Sequence, residues 1–330
     1  MFLDKYIEET GKTTDCDIFK DGISIDITIP TNDLFLAQYD NGNFNAMDVI
    51  VKLLAIENYY GMNDFGFNLY NKMQEKRIGQ NWEERFKTLI KSVEEKGLID
   101  LHSIDTDISY SIHDGAHRLA LAIFHGVKEM KIKTFNTELL RRRYGIEWFY
   151  ENGFTEEEIE IIMNKFQEVE SKLNDPYYTI FWTPARSIFG KLEDELPKVE
   201  SGIEIVDSKL LRLPRDNFKK FMYDVYETDD IASYKLDLKY QHLMFSLDKD
   251  NYTSSTLPFV VVKTKLHDPD FRMKGLTGLP QSKKTMRMKN QIRDNNKSLI
   301  TEYYHDIIMH MTDNTIQNND VAKILAKVKE

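Results

Sequence analysis

Apolar positions near the start of the chain follow two periodicities, which predict different elements. Residues 23–30 alternate apolar and polar side chains and include several β-branched ones, a pattern typical of a strand. Residues 45–80 carry apolar side chains at helical spacing and are predicted to be mostly helical. The helical spacing returns from Phe86 to Val93, and Gly97 lies where a C-terminal cap belongs.

A short run of alternating patterns follows this helix. Residues 107–114 predict a strand, residues 119–125 an apolar helix and residues 128–135 another strand. Gly115 lies between the first strand and the helix, and Gly126 ends the helix. The order of helix, strand, glycine turn, helix and strand predicts one compact α/β unit.

The second half of the chain alternates strand-like and helical runs, which predicts a second α/β layered domain. The three arginines at 141–143 and the following Gly145 are interpreted as the seam, which gives domains of residues 1–140 and 141–330. The predicted strands are 178–182, 203–213, 259–264 and 306–311, and the predicted helices are 155–173, 185–196, 218–227, 283–304 and 316–328.

Composition narrows the class of protein. Of 330 residues, 41% are apolar and 30% charged, a balance that excludes a disordered, collagenous or disulfide-scaffold chain. The single cysteine, Cys16, cannot close an intramolecular disulfide, which favours a reducing compartment. The first residues carry charges where a signal peptide needs an apolar run, and no apolar run is long enough to cross a membrane. We therefore expect a cytoplasmic protein.

The charge is unevenly distributed. The chain has 44 basic and 54 acidic residues, a net charge of -10, which disfavours non-specific nucleic-acid binding. Residues 263–297, however, contain ten basic and three acidic side chains. This segment predicts either a local anion site or a solvated cationic face.

The strongest candidate for chemistry is the sequence Ile-His-Asp-Gly-Ala-His-Arg, residues 112–118. Gly115 permits a tight turn and close approach of a phosphate, and the N–H groups of the next helix point to the same place. Arg118 offers a fork of donors for phosphate, Asp114 can cap the helix or hold a metal or a substrate hydroxyl, and His117 can donate to an anion or shuttle a proton. The alternative is that Asp114 is only an N-cap and that His117 and Arg118 are a solvated first turn.

Residues 86–135 resemble the ParB/sulfiredoxin-like domain, in which an amphipathic helix, a strand, Asp-Gly-x-His-Arg and an Ala-rich helix occur in this order. The resemblance implies that fold for the N-terminal domain. It also implies that nucleotide phosphates bind at the Gly-x-x-Arg turn, which corresponds to Gly115, Ala116, His117 and Arg118.

The residues of the turn distinguish between branches of that family. Sulfiredoxins carry a catalytic cysteine where this chain has Ala116, and ParB proteins carry two consecutive arginines where this chain has His117 before Arg118. The turn looks most like that of the free serine kinase branch. This likeness implies a phosphotransferase that uses ATP or ADP with Mg²⁺ on a small hydroxyl-bearing metabolite.

Two elements of this interpretation stay open. The kinase branch uses an N-terminal glutamate as its base, and Glu8, Glu9 and Asp33 are only candidates for it. The alternative function is a ParB-related nucleotide-binding regulator that contacts nucleic acid through residues 263–297 without turnover.

A second group of polar residues lies near the C-terminus. His305 precedes the predicted strand 306–311 and Asp313 follows it, at a strand end where ligands collect in open α/β sheets. Asp313 is the candidate ligand for Mg²⁺, with His305 beside it as a catalytic candidate. The alternative is a core histidine at His310 followed by a turn and a helix cap at Asp313 and Asn314.

The basic helix before this group adds Arg287 and Arg293 as candidate ligands of a phosphorylated substrate. A solvated cationic helix is the alternative. Asp229 and Asp230 are a weaker candidate metal pair. The expected partner is therefore a small molecule rather than nucleic acid or a membrane, and the sequence does not determine the oligomeric state.

Overall fold

The computed structural model describes residues 24–97, 103–135, 144–229, 233–274, 279–304 and 306–328. The chain forms two compact units, Met1–Asn174 with Asp270–Gln281, and Asp175–Pro269 with Ser282–Glu330. Both units mix helices and sheets, so the predicted α/β character is confirmed at this level. The expected seam at residues 141–143 lies outside the described residues, and the described chain changes unit after Asn174.

The described part of the first unit contains a four-stranded sheet in the order β1-β6-β4-β5. β1 pairs antiparallel with β6, β6 runs parallel to β4, and β4 forms an antiparallel hairpin with β5. The strands of this unit are β1 (Ser24–Pro30), β2 (Tyr39–Asp40), β3 (Asn43–Phe44), β4 (Ile104–Thr106), β5 (Ile112–Asp114), β6 (Glu129–Phe135), β10 (Phe271–Lys274) and β11 (Leu279–Ser282). β2 pairs with β3 and β10 with β11 in two separate two-stranded sheets, and β11 ends in the second unit.

Helices cover this sheet and supply most of the core of the unit. They are α1 (Thr31–Leu36), α2 (Met47–Tyr59), α3 (Gly66–Ile78), α4 (Glu83–Lys96), α5 (Ala116–Phe124), α6 (Ile146–Glu151) and α7 (Glu156–Leu173). α2 is buried over nearly its whole first three turns, because its apolar residues contact neighbours on several sides. The helix predicted over residues 155–173 is α7, which begins with a capping box between Thr155 and Glu158 and buries Ile159, Ile162 and Phe166 on one face.

The strand predicted over residues 107–114 is wrong in its first part. The Asp107 carboxylate accepts hydrogen bonds from the N–H groups of Ser109 and Ser111 at 2.8 and 3.0 Å, which closes a turn instead of extending a strand. Tyr110 adopts a φ of 61° within that turn. Only residues 112–114 are a strand, and they return antiparallel to β4.

The second unit contains, within the described residues, a sheet in the order β12-β7-β9-β8 with every pairing antiparallel. The predicted strand positions are confirmed, with shifted ends. The strands are β7 (Tyr177–Phe181), β8 (Ile203–Pro214), β9 (Thr256–Leu266) and β12 (Met309–Met311). The helices are α8 (Phe189–Glu195), α9 (Arg215–Glu227), α10 (Ser233–Lys249), α11 (Lys283–Asn296) and α12 (Thr315–Leu325).

An aromatic cluster forms the core of the second unit. Trp182, at the end of β7, packs edge-on against Phe218 and Phe221 of α9, and Phe221 stacks on Phe259 of β9 at 4.7 Å between ring centroids. The Trp182 indole N–H donates to the Tyr226 hydroxyl at 3.0 Å. The helices therefore pack on the sheet through aromatic side chains.

Two helices differ from the sequence pattern, one in its end and one in its existence. The helix predicted over 283–304 ends as α11 at Asn296. No element was predicted over α10, because its exposed Tyr234, Leu238 and Phe245 obscure the apolar periodicity of its buried face.

Among the helices that the structure describes, none combines the length and the apolar character needed to cross a membrane.

Candidate functional site in the first unit

Gly115 forms the turn between β5 and α5 and has a φ of 111°, a conformation that L side chains rarely adopt. Its α-carbon packs against the buried Ile104 of β4, and a Cβ at this position would lie 2.9 Å from Ile104 Cγ1. Gly115 itself is the N-cap of α5, which has no side-chain cap. The interpretation of Asp114 as the N-cap is therefore wrong.

Arg118 lies one turn into α5 and is held in place from two sides. Its Nη1 donates to the Ser103 carbonyl oxygen at 2.5 Å, and its Nη2 lies 2.7 Å from Asp114 Oδ2. The Arg118 side chain is 14% exposed, whereas that of Asp114 is 71% exposed. The guanidinium is thus fixed and the carboxylate lies at the solvent side of the pair, so the solvated-turn alternative does not fit Arg118.

His117 packs into an aromatic wall. Its ring meets the ring of Phe86 edge-on at 4.6 Å, and its Nε2 lies 3.0 Å from the hydroxyl of Tyr70. Burial raises the pKa of the Tyr70 phenol to about 12, so this hydroxyl is protonated at neutral pH. His117 is therefore held by Tyr70 and Phe86 and is not a plain solvated residue.

These residues line a pocket of about 600 Å³ that belongs to the first unit. Three kinds of side chain meet there: aromatic rings, cations and carboxylates. The Arg85 guanidinium stacks on the Trp82 ring at 4.4 Å to the centroid. The lining consists of Tyr70, Trp82, Arg85, Phe86, Leu89, Ser103, Asp105, Asp114, Gly115, His117, Arg118 and Lys133. Ala116, predicted with the phosphate turn, is buried and does not line this pocket.

Asp105 is a pocket residue that the sequence analysis missed. It pairs across the hairpin with Asp114, so the pocket holds two neighbouring carboxylates. Burial and then the charge of Asp114 raise the pKa of the Asp105 carboxyl, against the opposing charges of Arg118 and Lys133. The signal that would have found Asp105 is the hairpin register, which was hidden by the interpretation of residues 107–114 as one strand.

Asp313, the predicted metal ligand, lies in the second unit and is engaged by a lysine. Its Oδ1 accepts from Lys289 Nζ at 2.7 Å and from Thr285 Oγ1 at 2.5 Å. The neighbouring Asn314 caps α12 by accepting from the Gln317 N–H at 3.0 Å, which confirms the cap interpretation for Asn314. Among the described residues, no group of three or more acidic, histidine or cysteine side chains could hold a metal. A metal at Asp313 stays a prediction.

His310 is a core histidine. Its side chain is 2% exposed, its Nδ1 lies 3.3 Å from Asp229 Oδ2, and its ring meets that of Tyr226 edge-on at 5.0 Å. Asp229 also accepts from Gln317 Nε2 at 3.0 Å. His305 and Asp230 lie outside the described residues. In addition, β12 is antiparallel to β7, so the strand-end argument for this region, which assumed an open α/β sheet, does not apply here.

The two arginines of α11 do not meet at one site. Arg287 Nε lies 2.6 Å from Glu200 Oε1, whereas Arg293 binds Asp306 and the Met309 carbonyl oxygen. Further cations of residues 263–297 also lie near acids, as with Lys263 and Asp207 at 3.9 Å. The segment is divided between the two units, because Asp270–Gln281 belong to the first. These pairings argue against a continuous basic face within either unit.

Lys239 of α10 lies in an environment that strongly perturbs its side chain. Burial, and next the positive charge of Arg293, lower the pKa of its ammonium to about 7. Its Nζ lies 4.6 Å from the centroid of the Tyr226 ring. Lys239 therefore loses its proton near neutral pH in the folded protein, although lysine in an unfolded chain does so at about 10.4.

This difference predicts a pH dependence of stability. Between about pH 7 and about pH 10 the unfolded chain binds a proton at Lys239 that the folded chain does not, so the free energy of unfolding rises with pH. We expect Lys239→Met to remove this contribution. Urea denaturation of both proteins at pH 7 and pH 9.5 measures it: the wild type should gain stability relative to the variant at the higher pH. An unchanged difference between the two proteins would show that Lys239 titrates normally.

Comparison of the chain with models of protein families, with curated proteins and with solved structures finds no match. The arguments for a function therefore rest on the residues of the pocket.

Proposed function

We propose that the protein is a nucleotide-dependent phosphotransferase whose first unit binds the phosphate donor at the start of α5. The observation that carries this proposal is the pocket of about 600 Å³, in which the N-terminus of α5, three cations and an aromatic wall meet. The ParB/sulfiredoxin-like resemblance of residues 86–135, closest to the free serine kinase branch, supports the same function. The acceptor would be a small hydroxyl-bearing metabolite.

The phosphates are assigned to the end of the pocket formed by Gly115 and Arg118. The first N–H groups of a helix have no acceptor within the helix, so that they and the helix dipole favour an anion there, and Gly115 has no side chain that would block its approach. Arg118 and Lys133 line the same pocket, and both charges act on Asp105. Phosphoryl transfer depends mainly on positioning and charge neutralisation, which these groups provide.

The nucleoside is assigned to the aromatic side of the pocket. Trp82, half-buried and with Arg85 stacked on it, provides an aromatic surface of the kind on which bases stack, and the buried Phe86 lines the pocket beside it. Small-molecule sites commonly combine such an apolar lining with a few placed polar groups. The pocket volume falls within the range of about 300–1,000 Å³ that ligand sites show.

Asp105 is the residue we assign as the base. Its raised pKa favours acceptance of a proton, which the hydroxyl of the acceptor must lose as it attacks the phosphorus. Asp105 takes the place of the N-terminal glutamate for which Glu8, Glu9 and Asp33 were candidates. Glu8 and Glu9 lie outside the described residues, and Asp33 is fully buried and does not line the pocket.

Mg²⁺, which would offset the charge of the phosphates when bound with them, fits the pocket by its usual coordination. This ion is commonly held by one or two carboxylates together with phosphate oxygens, and Asp114 presents a carboxylate that is mostly exposed. No larger set of protein ligands is required.

Calorimetric titration with ATP, ADP, CTP and GTP in the presence of Mg²⁺ tests the phosphate site. We expect Arg118→Ala to weaken binding by about 10- to 150-fold, because a hydrogen bond to a charged group contributes about 1.5–3 kcal/mol. Lys91→Ala is the matched control, since Lys91 lies on α4 with a side chain 68% exposed and does not line the pocket. Unchanged affinity in Arg118→Ala, or no binding of any nucleotide, would refute the proposal.

Turnover separates the kinase from the regulator. Nucleotide binding with phosphate transfer to a hydroxyl metabolite, lost in Asp105→Asn with binding retained, supports the kinase. Nucleotide binding without transfer, accompanied by salt-dependent affinity for DNA, would favour the ParB-related regulator instead.

A further inference from the structure

A line of buried hydrogen bonds runs from the pocket into the interior of the first unit. It begins at His117, whose Nε2 lies 3.0 Å from the Tyr70 hydroxyl. The Tyr70 oxygen accepts from Gln74 Nε2 at 3.1 Å, and Gln74 Oε1 accepts from Arg77 Nη1 at 3.3 Å. Arg77 also donates to Asp48 Oδ2 at 3.3 Å. This line of hydrogen bonds thus connects His117, which lines the pocket, with the buried Asp48–Lys52 ion pair of α2.

The middle of this line is closed to solvent. Tyr70 is 0% exposed and Gln74 is 2% exposed. In the described part of the chain, the hydroxyl of Tyr70 has two partners, Gln74 and His117. Since a buried hydroxyl proton without an acceptor is costly, the proton must point to one of these two groups.

Arg77, at the inner end of this line, determines the direction of each hydrogen bond. Arginine has only donors, so the oxygen of the Gln74 amide must face Arg77 and its NH₂ group must face Tyr70. The Tyr70 oxygen therefore accepts from Gln74. Its own proton has His117 Nε2 as the remaining acceptor, and the raised pKa of Tyr70 keeps that proton on the phenol at neutral pH.

We propose that Gln74 is a positioning residue that fixes the tautomer of His117, with the lone pair on Nε2 and the proton on Nδ1. Nε2 accepts from Tyr70, so any proton that neutral His117 donates comes from Nδ1. Gln74 does not line the pocket and acts only through Tyr70. That this tautomer serves an anionic ligand rests on the proposed function, whereas the tautomer itself does not.

Nitrogen NMR of the full chain labelled with ¹⁵N at histidine tests the tautomer without nucleotide. The chain has eight histidines, and His117→Gln identifies the signal by its loss. We expect His117 to show a protonated Nδ1 and an unprotonated Nε2. A protonated Nε2, or rapid exchange between both forms, would overturn the proposal.

Gln74→Glu replaces the amide by a carboxylate of about the same size and should reverse the direction of the hydrogen bonds between residue 74, Tyr70 and His117. A carboxylate at position 74 pairs with Arg77 and has only acceptors for Tyr70, so Tyr70 donates to it and its oxygen must accept from His117. We expect the proton of His117 to move from Nδ1 to Nε2. Gln167→Glu on the exposed side of α7 makes the same chemical change in the same unit and should leave His117 unaltered. An unaltered tautomer in Gln74→Glu would overturn the role of Gln74.

Tyr70→Phe keeps the proposal testable if Gln74→Glu does not fold, because it removes the donor to Nε2 while it preserves the ring. His117 should then lose the strict preference for the Nδ1 proton. With nucleotide, Gln74→Glu should weaken binding by roughly tenfold, the effect of about one hydrogen bond to an anion. An Nδ1-protonated His117 in a protein that binds no nucleotide would refute the proposed function and leave the positioning role intact.

Discussion

Gly115→Ala should destabilise the first unit and abolish nucleotide binding together. A side chain at a φ of 111° strains the backbone by about 1–3 kcal/mol. The new methyl group would also lie 2.9 Å from Ile104 Cγ1, and overpacking of this kind costs a further ~1–3 kcal/mol. Urea denaturation measures the loss, and calorimetric titration with ATP and Mg²⁺ measures the binding.

Gly126→Ala is the matched control at the other end of α5. Gly126 has a φ of 65°, but a Cβ there would meet nothing within 4 Å. We expect Gly126→Ala to cost about 1–2 kcal/mol from backbone strain alone and to leave nucleotide affinity unchanged. Equal destabilisation by the two substitutions would show that Ile104 moves aside without cost and does not restrict this turn.

Asp48→Ala should cause a large loss of stability in the first unit. Asp48 and Lys52 form an ion pair on α2 in which both side chains are 1% exposed, and Arg77 is also bound to Asp48. Removal of the carboxylate takes an ion-pair partner from a buried ammonium, a change that typically costs about 3–5 kcal/mol. Urea denaturation of the variant measures the effect.

Two further variants distinguish the effect of burial on the ion pair from the effect of its four-residue spacing. Glu95→Ala breaks the Lys91–Glu95 pair, which has the same four-residue spacing but is 68% and 58% exposed, and it should cost less than about 1 kcal/mol. The double variant Asp48→Leu with Lys52→Met removes both charges and should be more stable than Asp48→Ala alone. A double variant that is less stable than Asp48→Ala would contradict this account of the pair.

Local features of the sequence predicted many of the elements of the fold. The alternation of residues 23–30, the helical pattern of residues 155–173 and the glycine between β5 and α5 depend on neighbours within a few residues, and each corresponds to an element in the structure. The turn at residues 107–111 was missed although its cause is also local. Asp107 binds the backbone two and four residues ahead, which competes with the strand that the alternation indicates.

The residues of the candidate site also fall into those that the local sequence indicates and those that only the structure reveals. Gly115, His117 and Arg118 were found because one short motif contains them, and all three line the pocket. Asp105 and Tyr70 were not found, because hairpin pairing and helix packing bring them to the motif from elsewhere in the chain. Arg287 and Arg293 share a basic segment, but their charges are neutralised by different acids that no spacing rule identifies.

By itself, the sequence determined the periodic elements, the mixed helix and strand character and the glycine turn with its arginine, because these depend on backbone preferences and on side chains near one another in the chain. Only the tertiary structure decided which side chains face one another. Packing brings Asp105 to Asp114 across the hairpin and Tyr70 to His117, and it buries the Tyr70 hydroxyl and the Asp48–Lys52 pair, so that these buried groups require partners. Burial also raises the pKa values of Asp105 and Tyr70.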